Sequence, residues 1–163
     1  AQLSRVKTYL FTESTDLTVN VAIASGGVNF GSSQVITIPT KGMIVLRFAG
    51  DLTGVTTTFS PSFGLNDGTS DFFPQKVNNG ATEYTVLSGP SAGTTDVIYG
   101  GAGGNSNVPP AWFLPIEELA IGTGSKTIQI IVADDGDTNS HTIDGSTGTI
   151  SPAQVYMEVW DYS

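Results

Sequence analysis

The chain contains no cysteine, which excludes disulfide staples, thiolate metal centres and a cysteine nucleophile alike. It has one histidine, His141, and six basic residues against fifteen acidic ones, for a formal net charge of −9. The cations Arg5, Lys7, Lys41, Arg47, Lys76 and Lys126 are scattered singly along the sequence. Nucleic-acid binding depends on neutralising phosphates with grouped lysines and arginines. A nucleic-acid partner is therefore not expected, nor is an anionic membrane surface. No stretch approaches the roughly 18 consecutive apolar residues of a membrane-spanning helix. No signal-like segment opens the sequence, and Ala1 fits a removed initiator methionine or a cleaved signal peptide equally. Charged residues make up 13% of the chain, about half their share in an ordinary domain. Threonine, serine, asparagine and glycine take their place, giving the neutral polar surface common on secreted or particle-exposed β-proteins.

What is present points to strands. Leu17, Val19, Val21 and Ile23 alternate with Thr18, Asn20, Ala22 and Ala24, the mark of a half-buried strand. Similar runs cover Val6 to Phe11, Gln34 to Ile38, Met43 to Ala49, Thr82 to Leu87 and Lys126 to Ala133. Weaker candidates are Thr56 to Phe59, Asp71 to Val77, Asp96 to Tyr99 and His141 to Asp144. Between them stand Gly26-Gly27, Asp67-Gly68, Asn79-Gly80, Asp135-Gly136 and Asp144-Gly145, pairs that tolerate the positive φ of tight turns. One short helical turn is expected around Pro115 to Ala120. With 163 residues, 39% of them hydrophobic, the chain reads as a single all-β domain spanning 1–163, an antiparallel sandwich or barrel. Its one compositional break is a Gly/Pro-rich excursion over 88–110, a length that in compact domains is usually functional or mobile.

Signals for catalysis are thin, and no enzymatic activity is expected. His141 has no nucleophile elbow to serve and reads as a solvated residue at a strand end. Glu117 and Glu118 are adjacent, so on extended backbone their carboxylates diverge instead of flanking one glycosidic bond. Asp135, Asp137 and Asn139 stand at alternate positions whose oxygens can converge on calcium. Ser140 and Ser146, however, occupy the places where an EF-hand loop needs glycine and its closing glutamate, and no helices flank the segment. A solvated acidic hairpin tip is the competing reading. Gly100 to Gly104 lacks the lysine and hydroxyl of a phosphate-binding loop. Trp112 and Trp160, with Phe113 and Tyr162, would stack on a glycan if exposed, although such residues more often belong to cores or interfaces.

The segment from Ala153 to Tyr162 is the most informative. Val155, Met157 and Val159 point to one side of a strand, and Tyr156, Glu158, Trp160 and Tyr162 to the other. A two-layer β-domain covers one face of each sheet, so a strand apolar on both sides needs a second cover. In a chain of this length, a neighbouring subunit is the natural one. Tyr156, Glu158, Trp160 and Tyr162 are therefore the expected interface, with Glu158 paired to a basic residue.

The run from Gly122 to Ile130, the acidic hairpin after it and the strand from Gln154 to Trp160 resemble the closing strands of tumour-necrosis-factor-like and complement globular-head-like jelly rolls. Met43 to Phe48 matches a central strand of the same sheet. Versions of this domain recur in bacteriophage head fibres, decoration proteins and tail tips. The resemblance implies a jelly-roll sandwich and a homotrimer with the terminal strand at its threefold axis. It further implies a structural role on a virion surface, beside a capsid or fibre protein. Two other roles fit the residues: a carbohydrate-binding or receptor-binding lectin-like module, and a secreted pilus-type subunit. The second fits less well, because the chain holds enough strands to close its own sandwich.

Overall fold

The computed structural model describes residues 5–22, 25–50, 52–53, 61–74, 76–79, 82–85, 111–134, 140–145 and 152–163. Its strands are β1 (Arg5–Glu13), β2 (Leu17–Val19), β3 (Val28–Ile38), β4 (Gly42–Ala49), β5 (Leu52–Thr53), β6 (Pro61–Asn66) and β7 (Asp71–Phe72). They continue as β8 (Lys76–Asn79), β9 (Thr82–Thr85), β10 (Trp112–Pro115), β11 (Gly124–Asp134), β12 (His141–Ile143) and β13 (Ala153–Asp161). A single helical turn, α1 (Ile116–Leu119), follows β10 and ends on Ala120 in the left-handed region. The all-β expectation holds.

Two antiparallel four-stranded sheets form a sandwich, in the orders β1-β13-β4-β10 and β3-β11-β6-β7. A three-stranded sheet, β2-β12-β5, and the hairpin β8-β9 are separate from them. The period-two alternation supplies the core. Phe11, Ile44, Leu46, Phe48, Val155 and Met157 from the first sheet meet Phe30, Ile36, Phe63, Ile128, Ile130 and Val132 from the second. Aromatic rings bridge the layers: Phe48 stacks on Phe63 with centroids 5.2 Å apart, and Trp112 meets Phe63 edge-on at 4.8 Å. Such geometry adds roughly 1 kcal/mol per pair beyond the area buried.

Turn chemistry acts where it was expected. Asp67 Oδ1 accepts the N–H groups of Thr69 (3.0 Å) and Ser70 (2.9 Å), while Gly68 takes a φ of +96° between them. This closes the β6-β7 hairpin. Elsewhere the chain departs from simple alternation. Between Phe30 and Gln34, β3 spends four steps while β11 spends two, from Ile130 to Ile128. Gly31, at φ +64°, sits in this bulge, which bends the longer strand.

Several strand expectations need comment: of the alternating run that starts at Leu17, only Leu17–Val19 forms a strand among the described residues. β3 begins at Val28, well before Gln34, and β6 and β10 were not anticipated at all. The Asp71 to Val77 run is divided between β7 and β8. The expected strands at 56–59 and 96–99, and the excursion 88–110, lie outside the described residues.

Candidate functional site

The feature with most functional content is the outer face of the β1-β13-β4-β10 sheet. Strand register arranges its side chains in rows that run across the sheet. Val6, Trp160, Met43 and Pro115 form one row, apolar from edge to edge. Beside it Thr8, Glu158, Val45 and Phe113 form a second, and Leu10, Tyr156 and Arg47 a third. Val6 and Leu10 are 42% and 44% exposed, and Tyr162, just beyond β13, is 49% exposed. Trp160, Met43 and Phe113 are half-buried. Val45, in the middle row, is only 4% exposed, and on its inner side the sheet packs against β3 and β6.

One ion pair crosses the face. Arg47 Nε donates to Glu158 Oε1 at 3.0 Å, as the expected pairing of Glu158 requires. The pair is largely open to water at its Arg47 end, so as an exposed salt bridge it contributes about 0–1 kcal/mol. Its larger effect is cancellation of charge: no other acidic or basic residue, Asp, Glu, Lys, Arg or His, stands in these rows. The Tyr156 hydroxyl donates to Gln154 Oε1 at 3.0 Å, which orients the ring along the strand.

The second sheet differs. Thr37, Ser125 and Thr127 on its outer side are exposed and polar, with Val35 the one exposed large apolar group among them. Ile131, on the same side of β11, is buried at 2% exposed, so the part of this outer side left open is mainly polar.

The structure brings Tyr156, Glu158, Trp160 and Tyr162 to this one face, on the side of β13 opposite the buried Val155, Met157 and Val159. Sequence reasoning missed Val6, Leu10, Met43, Val45 and Phe113. A signal was there in Met43 to Leu46, an unbroken apolar run of the kind that strands covered on both faces show.

Two readings of single residues are corrected. Trp112 is 2% exposed within the aromatic core, so the condition for stacking on a glycan is not met there. Trp160 keeps part of its indole open. His141 is not solvated but 1% exposed, with Nε2 3.2 Å from Asp134 Oδ2, itself buried. β12 places the imidazole beside β2 through the His141–Val19 pairing, and the Ala22–Asp134 bridge brings the carboxylate to the same end. Sealed from solvent, this pair fastens the small sheet to β11.

Glu117 and Glu118 are exposed on α1. Asp135, Asp137 and Asn139, the calcium candidates, lie outside the described residues. Among the described residues no cluster of histidine, aspartate or glutamate has the geometry to hold a metal ion.

No protein-family model, no curated protein and no solved structure matches this chain. The functional reading therefore rests on geometry.

Proposed function

We propose that the chain is a non-enzymatic structural subunit of a phage or virus particle, a jelly-roll decoration or fibre-head protein that assembles with copies of itself through the outer face of the β1-β13-β4-β10 sheet. The observation that carries this reading is the apolar row Val6–Trp160–Met43–Pro115, with the exposed Leu10, Tyr156 and Tyr162 near it, on the outer side of the sheet of a strongly acidic chain. The partner it suits best is a second copy. Copies carrying −9 each repel one another, and this face is the region where the ionisable groups cancel as Arg47 and Glu158.

Strand order supports the jelly-roll part. β1 pairs with β13, β3 with β11, β4 with β10 and β6 with β7. First with last and second with next-to-last is the nesting produced when one long hairpin is wound into two layers. Shell, decoration and lectin domains are built in this way. The trimer and the particle location follow from the resemblance of the closing strands to fibre and decoration domains.

Magnitudes make the assembly sensitive. Burying a large apolar side chain fully contributes on the order of 2 kcal/mol, and those on this face are already about half buried. The six largest, from two copies, supply roughly 12 kcal/mol, against an association cost of about 4–15 kcal/mol. Removing one large aromatic is then enough to tip the balance. Light scattering at micromolar concentration should give the mass of a trimer or another closed oligomer for the native chain, and a smaller mass for Trp160→Ala. A native chain that runs at 16.9 kDa overturns the assembly and favours a carbohydrate-binding module.

A further inference from the structure

At one end of the sandwich the core gives way to an open cleft of about 490 Å³, a volume typical of small-molecule sites. Arg5 and Lys7, cations that look isolated in the sequence, both line it. They share the inward parity of Tyr9 and Phe11 on β1, so polar ends occupy positions where the strand elsewhere supplies core. Opposite them in register on β13 stand Asp161 and Val159.

The lining has three chemical parts. Arg5 and Lys7 form a cationic wall. Thr40 and Thr123 bring hydroxyl-bearing residues from the end of β3 and the approach to β11, while Thr37, whose side chain belongs to the outer side of its sheet, only borders the opening. Ile38, Pro39 and Val159 provide an apolar floor. Asp161 is engaged locally: its Oδ1 accepts the Ser163 N–H at 2.9 Å and the Ser163 hydroxyl. These bonds, with Arg5 nearby, hold its carboxyl below the usual range, so it stays ionised. Among the lining side chains the cations outnumber the carboxylates two to one, on a chain that is strongly negative.

We propose that this cleft binds a monoanionic sugar, a sialic or uronic acid, with Arg5 and Lys7 taking the carboxylate, the threonine wall meeting the sugar hydroxyls and the Ile38–Val159 floor meeting the ring. A bare phosphate or sulfate matches only the first part of the lining. The site does not rest on the assembly reading. Arg5 and Lys7 face the inside of the sandwich while Val6 and Leu10 face out, so self-association through the outer face leaves the cleft open.

The test is saturation-transfer difference NMR on the full chain with N-acetylneuraminic acid, galacturonic acid and galactose as probes and inorganic phosphate as a competitor. Transfer to at least one sugar acid is expected, with none to galactose. Its binding should weaken at least tenfold in Arg5→Ala and in Lys7→Ala, and fall as salt screens the charges. Both residues are exposed, and an unchanged circular dichroism spectrum checks that each variant is folded. Absence of transfer to either acid, equal transfer to galactose, or binding unchanged in both variants overturns the proposal. Full displacement of the sugar acid by equimolar phosphate overturns its sugar part. None of these outcomes depends on the mass of the particle.

Discussion

Glu13 joins the two layers of the sandwich. It lies on β1 in one sheet, and its Oε2 accepts the N–H of Gly31 from the bulge of β3 in the other, at 2.9 Å. Its Oε1 accepts the Thr15 hydroxyl (2.7 Å) and N–H (3.2 Å). Partial burial pushes the carboxyl up, but the bonds from Gly31 and Thr15 more than offset this and leave it below the ordinary glutamate range. A depressed carboxyl stabilises the fold at pH above its unfolded value and loses that contribution as pH falls through its folded value. Denaturant melts over the acid range should therefore show stability dropping with pH below the usual glutamate range. The drop should be shallower in Glu13→Gln, which is already weaker at neutral pH; superimposable acid limbs would refute the role. Such a link could not be read from sequence, because Gly31 comes into reach only through the register of two different sheets. The same holds for His141. Its turn-side position suggested solvent, yet pairing with Val19 carries it beneath the end of β11, where Asp134 meets it.

Among the elements, β6 shows most clearly what local pattern hides. It opens on Pro61 and carries Gly64 at its middle, two residues that argue against a strand in isolation. Both are explained by neighbours. Pro61 begins the strand, and Gly64 is needed because the β-carbon of any other residue would stand 2.2 Å from the Phe72 carbonyl oxygen. That contact is with backbone and cannot be relieved by a rotamer change. Gly64→Ala should destabilise the domain by about 3 kcal/mol, at the upper end of overpacking costs, measured as a lowered denaturation midpoint; a midpoint within error of the native chain would refute the packing account. β13, in contrast, was fully legible. Its alternation gave the buried face, and its second set of large side chains marked the outer one. β1 was legible in part: Tyr9 and Phe11 marked its buried side, while Leu10 and Val6 on the other gained meaning only once they stood beside Tyr156 and Trp160.

At the scale of the whole molecule, alternation identifies strands but not their partners. That β1 pairs with β13 and β3 with β11 depends on contacts between residues distant in the sequence, such as Arg5 with Asp161 and Ile38 with Gly124, and no local signal encodes them. Charge, however, is a global property, and it was legible. In the proposed assembly, copies that each carry −9 would meet through a neutral apolar face, and the repulsion opposing them would arise from acidic groups elsewhere on the surface. Salt shortens the reach of that repulsion to about 10 Å at 0.1 M and leaves hydrocarbon contacts in place. Raising sodium chloride from low to moderate concentration should therefore shift the light-scattering mass upward; dissociation with added salt would mean that ion pairs, not apolar rows, hold the copies together.

The pairing of Arg5 with Asp161 has a practical corollary. Directly opposed residues on antiparallel strands lie about 5 Å apart at their α-carbons, so polypeptide leading into β1 and polypeptide leaving β13 pass through the same pole. A tag or fluorescent cargo joined directly ahead of Arg5 or after Asp161 would start from that end of the sandwich, next to the cleft. A short loop could also splice the two strands into one hairpin, and new ends could then be opened elsewhere without unpicking either sheet.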